Sequence, residues 1–252
     1  MSSALSETVE MPTPAGFAIA APRPWGELQA KARLLSRDMV LEIAVRLACA
    51  VPGNIVEFGV ADGSSTRVIQ RTLRRQRLGW FNLSPKKEIF ALDSFEGLRE
   101  AFENAPVGAF AQPVPSLPGI QIVKGYFEES CTPALAKRVG RVAFAHLDAD
   151  LYSSTLCALR WLTPLLGTGS LLLFDEFVGG GMSEARAFDE WRAESGVEVV
   201  RIAEFDRDPS GWGEQLDRRT LFQVVGTEAL PPVRSDIRHK IARRIGLIHR
   251  GP

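Results

Sequence analysis

The sequence predicts a doubly wound α/β fold, in which helices cover both faces of a mostly parallel sheet. Short apolar runs alternate along the chain with amphipathic helical segments, and this alternation is typical of such folds. Acidic residues also lie at the ends of several apolar runs. Because parallel strands place their carboxyl ends along the edge where open α/β sheets bind ligands, we expect a negatively charged crevice there. Such a crevice suits a cationic cofactor or a metal ion better than a pyrophosphate.

The predicted elements follow one another along the chain. A helix is predicted over residues 27–49, where apolar residues recur mostly at steps of three and four, and Pro52-Gly53 ends it. Apolar runs predict strands at 55–58, 89–92, 120–123, 142–147 and 170–174, and helices are predicted at 64–75, 133–139, 153–166 and 182–193. The runs at 197–203 and 220–225 predict an antiparallel hairpin at the edge of the sheet.

The bulk composition is that of a soluble globular protein. Of 252 residues, 45% are apolar and 24% are charged, and this length is enough for one large domain. Lys+Arg and Asp+Glu are both 30, so the formal net charge is zero and a nucleic-acid partner is not expected. The three cysteines are too few and too far apart for a disulfide framework. We recognise neither a signal peptide nor a membrane-spanning run, and therefore predict a cytoplasmic protein without a membrane partner.

The chain divides into three predicted regions. Residues 1–22 form a flexible tail, residues 23–230 form the α/β domain with a cap helix at its start, and residues 231–252 form a basic amphipathic tail. The last tail carries isoleucines at helical spacing among arginines and lysines. This pattern fits a membrane surface or an acidic partner, but we favour a terminal helix docked on its own domain or on a second subunit. A homo-oligomer is compatible with the sequence.

A glycine loop, residues 59–63 (Gly-Val-Ala-Asp-Gly), follows the first strand. It lacks the closely spaced glycines of the dinucleotide fingerprint, and Glu57 and Asp62 would repel a diphosphate. S-adenosylmethionine carries an ammonium and a sulfonium, and its ammonium can meet Glu57 and the Gly59 carbonyl. Its carboxylate can meet the amides that follow Gly63, at the start of the helix for which Ser64 is the predicted N-cap. The sequence favours this cofactor over an ordinary strand-to-helix turn.

Two further segments belong to the predicted cofactor site. Asp93 ends the second strand, and an acid at this place can accept hydrogen bonds from both ribose hydroxyls; its neighbours Ser94 and Phe95 are included in the site. Gly125, Tyr126 and Phe127 follow the third strand and are expected to wall the adenine with an aromatic face. The alternatives are an ordinary loop aspartate and, for the aromatic residues, side chains of the core.

Two pairs of acids end neighbouring strands. Asp148 and Asp150 share one side of the fourth strand by alternation, and Asp175 and Glu176 end the fifth strand. Carboxylates without cysteine or histidine partners make an oxygen-rich site that suits magnesium. The alternative is that these acids cap the helices that follow, but two pairs at adjacent strand ends favour a metal or catalytic role. His146 is interpreted as a core histidine.

Together these segments resemble the macrocin O-methyltransferase family, a Rossmann-like branch of the class I S-adenosylmethionine-dependent methyltransferases. The resemblance covers residues 25–177 and rests on the segments 56–60, 92–98, 124–127, 148–155 (Asp-Ala-Asp-Leu-Tyr-Ser-Ser-Thr) and 174–176. It implies a seven-stranded sheet whose last strand is antiparallel. It also implies a magnesium ion on Asp148, Asp175 and Glu176, the last of which stands where the family usually has Asp. Asp148 is also assigned to the cofactor site.

The predicted activity is methyl transfer from S-adenosylmethionine to a hydroxyl of a small molecule, such as a sugar or a glycosylated natural product. Magnesium would hold adjacent hydroxyls and lower the pKa of one of them. We assign Asp148 and Asp150 as catalytic, with Asp150 as the candidate base. The proline-rich segment 96–119 predicts a long loop that covers the site. The alternatives are an NAD-dependent oxidoreductase on the same fold and a non-catalytic protein that keeps a methyltransferase fold.

Overall fold

A computed structural model describes residues 36–77, 86–102, 104–177, 183–206 and 218–226. The predictions for the tails 1–22 and 231–252 lie outside the described residues, as does the start of the predicted cap helix. None of the described helices is both long and apolar enough to cross a membrane.

The strands of the described chain form one mixed sheet. Their bounds are β1 Asn54–Phe58, β2 Ile89–Asp93, β3 Gln121–Lys124, β4 Val142–Leu147, β5 Leu171–Phe174, β6 Glu198–Asp206 and β7 Arg218–Gly226. The spatial order of the seven strands is β3-β2-β1-β4-β5-β7-β6. The first five are parallel, and β7 lies antiparallel to both β5 and β6. The predicted fold class is therefore confirmed, including the hairpin and the antiparallel last strand.

The helices connect these strands as the alternation predicts. Their bounds are α1 Arg37–Ala48, α2 Ser64–Arg77, α3 Phe127–Ser130, α4 Pro133–Val139, α5 Tyr152–Leu162 and α6 Ser183–Ser195. α1 begins after Ser36, whose hydroxyl accepts a hydrogen bond from the Met39 amide. The helix predicted at 153–166 ends earlier and continues as the 3-10 turn Thr163–Leu165, because Pro164 lacks the amide that a longer helix needs.

Alternation along the strands divides the core into two layers. Ile55, Leu171 and Leu173 face α1 and α2, whereas Val56, Leu172 and Phe174 belong to the layer that packs against α5 and α6. Successive side chains of a strand point to opposite faces, so strands buried on both faces are apolar at almost every position. α1 contributes Val40, Leu41, Ala44, Val45 and Ala48 to the first layer, all fully buried.

The predicted long loop after β2 is folded onto the protein. The amide of Leu98 donates to the carbonyl of Ala109 at 2.9 Å, and the amide of Gly108 donates to the carbonyl of Leu98 at 2.8 Å. Leu98 and Leu117 are buried. Leu117 lies so close to Gly63 that a Cβ added there would be 3.0 Å from its side chain. The loop therefore packs directly against the glycine loop.

Candidate active site

The carboxyl ends of β1, β2, β4 and β5 bring the predicted acids to one edge of the sheet. Glu57 of β1 pairs in register with His146 of β4, and the backbone pairing continues past the strand ends. The amide of Asp148 donates to the carbonyl of Phe58 at 2.9 Å, and the amide of Asp175 donates to the carbonyl of Leu147 at 2.9 Å. We call the glycine loop and Asp93 the cofactor side of this crevice. We call Asp148, Asp150 and Asp175 the acceptor side.

On the cofactor side, Asp93 holds the glycine loop in place. One carboxylate oxygen, Oδ2, accepts the amides of Val60 at 2.7 Å and Ala61 at 2.9 Å, and Oδ1 accepts the amide of Phe95 at 2.7 Å. A carboxylate has about four acceptor positions, so one position remains for a ligand. That Asp93 accepts hydrogen bonds from both ribose hydroxyls stays a prediction.

Gly59 lets the glycine loop pass close to β4. Its φ is 83°, and a Cβ added there would lie 1.8 Å from the carbonyl oxygen of Asp148. A side chain at this position would both strain the backbone and collide with it. The loop and the end of β4 are thus in contact, which links the cofactor side to the acceptor side.

The helix after the glycine loop begins differently from the prediction. Gly63 occupies the N-cap position, because its carbonyl accepts the amide of Arg67 at 3.0 Å and α2 starts at Ser64. Asp62 accepts the Ser64 amide at 2.9 Å and the Ser64 hydroxyl at 2.6 Å, and these hydrogen bonds lower the pKa of Asp62. The prediction of Ser64 as N-cap is wrong, and its amide is already occupied rather than free for a cofactor carboxylate.

Glu57 is fully buried. One oxygen lies 3.0 Å from Nδ1 of His146, and the other accepts a hydrogen bond from the Thr66 hydroxyl. Glu57 thereby fixes His146 and the first turn of α2. The predicted meeting of Glu57 with a cofactor ammonium stays a prediction.

His146 connects Glu57 to the acceptor side. Its Nε2 lies 3.9 Å from Oδ1 of Asp175 and has no hydrogen-bond partner among the described residues. Burial alone would lower the pKa of His146, but the carboxylates of Asp175 and Glu57 outweigh this effect and raise it to about 9. The interpretation of His146 as a core histidine is correct about its burial and misses its contact with the site.

On the acceptor side, arginines bind two of the three acids. The guanidinium of Arg37, from α1, binds Asp148, and its Nε lies 3.4 Å from Oδ1 of Asp175. Arg219, from β7, binds Asp175 from the other side, with Nε at 2.6 Å from Oδ1 and Nη2 at 3.4 Å from Oδ2. Among the described residues, none forms a hydrogen bond or an ion pair with the Asp150 carboxylate.

The pKa values of these acids differ with their surroundings. Burial and the charge of Asp175 raise the pKa of Asp148 to about 7, against the opposite effect of Arg37. Burial tends to raise the pKa of Asp175, but His146 and the two arginines lower it well below its usual range. Burial and Asp175 raise the pKa of Asp150.

Glu184 of α6 connects the two loops that carry the acids after β4 and after β5. Its buried carboxylate accepts the amide of Glu176 at 3.0 Å and the amide of Ala149 at 3.4 Å. Burial raises the pKa of Glu184 well above its usual value, with a further contribution from Asp148. Glu184 was not predicted as a site residue. The feature of the sequence that could have indicated it is an acid in the first turn of the helix that follows β5.

The predicted adenine wall is only partly exposed to the crevice. Gly125 follows β3 beside Asp93, whose carbonyl accepts the Gly125 amide at 3.0 Å. Phe127 is buried and packs edge-on against Phe58, with ring centroids 5.2 Å apart. Tyr126 is half-buried and lies beneath the guanidinium of Arg99 at 5.1 Å. Of the two aromatic residues, Tyr126 is therefore the one placed to contact a ligand.

Ser94 and Phe95 shape the turn after β2. The Ser94 hydroxyl accepts the amide of Glu96 at 3.1 Å. Phe95 is buried and has a φ of 57°, a left-handed conformation that non-glycine residues adopt rarely. Both residues therefore support the position of Asp93.

The donor atoms at this edge do not fit the predicted magnesium ion. The residues that come together are His146, Asp148 and Asp175, whose nearest donor atoms lie within 4.8 Å of one another. Glu176, the third predicted ligand, is not among them. Water can supply most of the oxygen ligands of a magnesium ion, but arginine side chains already bind both carboxylates that would have to anchor it.

Part of the chain is similar to known methyltransferases. Residues 56–177 match the sequence model of a family described as "Methyltransferase domain". A curated relative from Streptomyces olivaceus, 8-demethyl-8-(2,3-dimethoxy-alpha-L-rhamnosyl)-tetracenomycin-C 4'-O-methyltransferase, is 28% identical over an alignment of 190 residues, and the match covers 60% of this chain and 69% of that protein.

Solved structures of two methyltransferases share the fold. The O-methyltransferase NovP superposes with a TM-score of 0.57 at 20% identity, covering 75% of this chain and 80% of its own. The calicheamicin methyltransferase CalS11 gives a TM-score of 0.52 at 21% identity, covering 81% of this chain and 87% of its own. At such identities the likeness concerns the fold.

Proposed function

We propose that this chain, an S-adenosylmethionine-dependent methyltransferase, methylates a hydroxyl of a small molecule and that the hydroxyl belongs to the sugar of a glycosylated natural product. The name of the Streptomyces olivaceus relative, which acts on a rhamnosyl tetracenomycin, supports this acceptor class. The NAD-dependent alternative loses its basis, because the matched domain is a methyltransferase domain and the glycine loop lacks the dinucleotide pattern.

The observation that carries the proposal is the meeting of the glycine loop and the acids of four strand ends at one edge. Asp93 keeps a net negative charge because its partners are backbone amides. A negative group there attracts a sulfonium cofactor and repels a diphosphate. We place the ribose at the remaining acceptor position of Asp93, the adenine beside Tyr126, and the methionine portion over the glycine loop.

In this proposal Asp150 is the base. The acceptor oxygen attacks the methyl carbon in line with the sulfur, the carbon–sulfur bond breaks as the carbon–oxygen bond forms, and the hydroxyl proton passes to the Asp150 carboxylate. Arginines bind the carboxylates of Asp148 and Asp175, so those oxygens are less accessible to an acceptor hydroxyl. Asp150 is half-buried beside them, so its carboxylate is the one best placed to take the proton.

The long loop after β2 and helix α1 are proposed to cover the reacting groups. The loop already contacts the glycine loop through Leu117, and α1 brings Arg37 to the acceptor side. Covering the site excludes water, which strengthens electrostatic interactions inside it.

The experiment is a methylation assay with methyl-labelled S-adenosylmethionine. The acceptors are a rhamnosylated aromatic polyketide, the same polyketide without sugar, and free rhamnose. We expect S-adenosylhomocysteine and a labelled product with the glycoside and not with the sugar-free compound. Methylation of the sugar-free compound at an equal rate would contradict the sugar assignment. Failure to bind S-adenosylmethionine in calorimetry would contradict the cofactor assignment.

Three further properties of the protein stay predictions. They are membership of the macrocin O-methyltransferase family, a cytoplasmic location and a homo-oligomer. Magnesium assistance is also a prediction of the resemblance, and we leave it out of the mechanism because the donor atoms do not fit that ion.

A further inference from the structure

Arg37 lies where a divalent cation would have to bind. It is the first residue of α1, and its guanidinium spans the two carboxylates at the ends of β4 and β5. One nitrogen binds Asp148, and Nε lies 3.4 Å from Asp175. A cation that bridged the same two carboxylates would need the space and the lone pairs that Arg37 uses.

The local charges also disfavour a second cation. Asp175 binds Arg219 as well as Arg37. Two arginines therefore bind the carboxylates that a metal would need. A divalent ion would be repelled by each of them at short range in a partly buried site.

Arg37 is not required to fix α1 to the sheet. The helix already buries Val40, Leu41, Ala44 and Val45 completely, and apolar burial of this extent holds a helix in place. The guanidinium also keeps donors for a ligand. A guanidinium has five N–H donors in a rigid plane, whereas Arg37 makes one hydrogen bond with the described residues, to Asp148, so donors remain for an acceptor oxygen.

We propose that the Arg37 guanidinium takes the place of the divalent cation in this active site, so that methyl transfer needs no metal and Arg37 positions the acceptor hydroxyl. The proposal rests on the proposed function. The reaction stays balanced without a metal, because the methyl group moves from sulfur to oxygen and the proton moves to Asp150.

Manganese uptake tests the proposal without an acceptor. Electron paramagnetic resonance measures free Mn²⁺ in the presence of the wild type, Arg37→Met, Arg37→Lys and the double variant Arg37→Met/Asp148→Asn. We expect uptake of about one ion by Arg37→Met alone, because only this variant removes the charge of Arg37 and keeps both carboxylates. Arg46→Met is the matched control, since exposed Arg46 lies on the same helix and pairs with Glu42 at 3.5 Å rather than with the acids of the site.

Two outcomes would overturn the proposal. The first is stoichiometric Mn²⁺ uptake by the wild type. The second is no uptake by folded Arg37→Met, because the carboxylates would then form no cation site for Arg37 to occupy. Circular dichroism and melting temperature establish folding, and Arg37→Lys, which keeps the charge, provides a second variant should Arg37→Met not fold: uptake by Arg37→Lys would contradict the proposal.

Turnover gives the second measurement, with an acceptor found in the methylation assay. We expect EDTA to leave the wild-type rate unchanged and Arg37→Met to lower kcat by about a hundredfold with little change in the cofactor Kd. Loss of wild-type activity in EDTA, restored by Mg²⁺, would contradict the proposal. If no acceptor is methylated, the proposed function fails, whereas the manganese comparison keeps its own answer.

Discussion

The two sides of the crevice carry similar acids at similar strand ends but bind them to different partners. On the cofactor side, Asp93 accepts hydrogen bonds from uncharged backbone amides. On the acceptor side, Asp148 and Asp175 bind arginine side chains. Amides leave the negative charge of Asp93 in place, whereas the guanidinium groups compensate the charges of the other two acids. The first side therefore suits a cationic cofactor, and the second suits a neutral hydroxyl.

This difference shows that the place of an acid in the fold does not by itself set its role. Both sides follow the same rule of parallel sheets, which gathers strand ends at one edge. The partner then decides the charge of the group, and the partners come from distant parts of the chain, α1 for Asp148 and β7 for Asp175.

The largest expected effect is the loss of the proposed base. Asp150→Asn should lower kcat by about a hundredfold to ten-thousandfold, because an amide cannot accept the hydroxyl proton. Steady-state kinetics with the acceptor from the methylation assay measure this change. Asp189→Asn is the control, since Asp189 is exposed on α6. A wild-type kcat for Asp150→Asn would remove this residue from the mechanism.

The next largest expected effect is a loss of stability at Gly59, where the glycine loop contacts the end of β4. Gly59→Ala should destabilise the protein by at least about 3 kcal/mol, because the new Cβ would lie 1.8 Å from the Asp148 carbonyl oxygen. Gly196 also has a positive φ, of 66°, but nothing lies within 4 Å of its added Cβ. Gly196→Ala should therefore cost only about 1–2 kcal/mol. Urea unfolding compares the two variants, and equal losses would mean that crowding at Gly59 has been overestimated.

A smaller loss of stability is expected for substitutions of Glu184, which binds the loops after β4 and after β5. Its two oxygens accept one backbone amide each, whereas the side chain of glutamine has a single acceptor oxygen. Glu184→Gln should therefore lose about 1–3 kcal/mol because one amide loses its partner, and Glu184→Leu should lose about 2–4 kcal/mol because both amides do. Urea unfolding at neutral pH measures both variants. A wild-type stability of Glu184→Gln would show that one of the two hydrogen bonds contributes nothing.

The smallest expected effect is a pH dependence of stability from Lys87, which lies outside the crevice, just before β2. Lys87 donates hydrogen bonds to the carbonyls of Val51 and Gly53, and burial lowers its pKa from 10.5 to about 8. Between about pH 8 and pH 10.5 the unfolded chain holds this proton while the folded chain has released it. The contribution of Lys87 to stability therefore rises with pH across this window.

Unfolding of the wild type and of Lys87→Met across that pH window measures the contribution. Their difference should grow in favour of the wild type as the pH rises, and Lys86→Met, at an exposed neighbouring position, should show no such trend. A difference that shrinks with pH would contradict the lowered pKa.

Local patterns predicted the framework of the molecule well. Apolar runs bounded by turns correspond to the strands from β1 to β7, because burial on both faces leaves a continuous apolar signal. Parallel strands place their carboxyl ends at one edge of the sheet. The sequence alone could therefore predict that Asp93, Asp148 and Asp175 lie along the same edge.

The partners of these acids could not be predicted in this way. Arg37, Arg219 and Glu184 reach the site from elements that are distant in sequence, and pairing over such distances leaves no periodic pattern. The position of His146 beside the acids could not be predicted for the same reason. The register of β1 and β4 puts His146 beside Glu57, and only the packed structure shows that Nε2 of His146 faces Asp175.

Calorimetric titration of S-adenosylhomocysteine into Asp93→Ala and Asp150→Asn tests the division of the crevice most directly. The account predicts that Asp93→Ala weakens binding by about tenfold or more, because the ribose contact and the support of the glycine loop are both lost. Asp150→Asn should bind like the wild type. Equal weakening in both variants, or weakening in Asp150→Asn alone, would contradict the assignment of a cofactor side and an acceptor side.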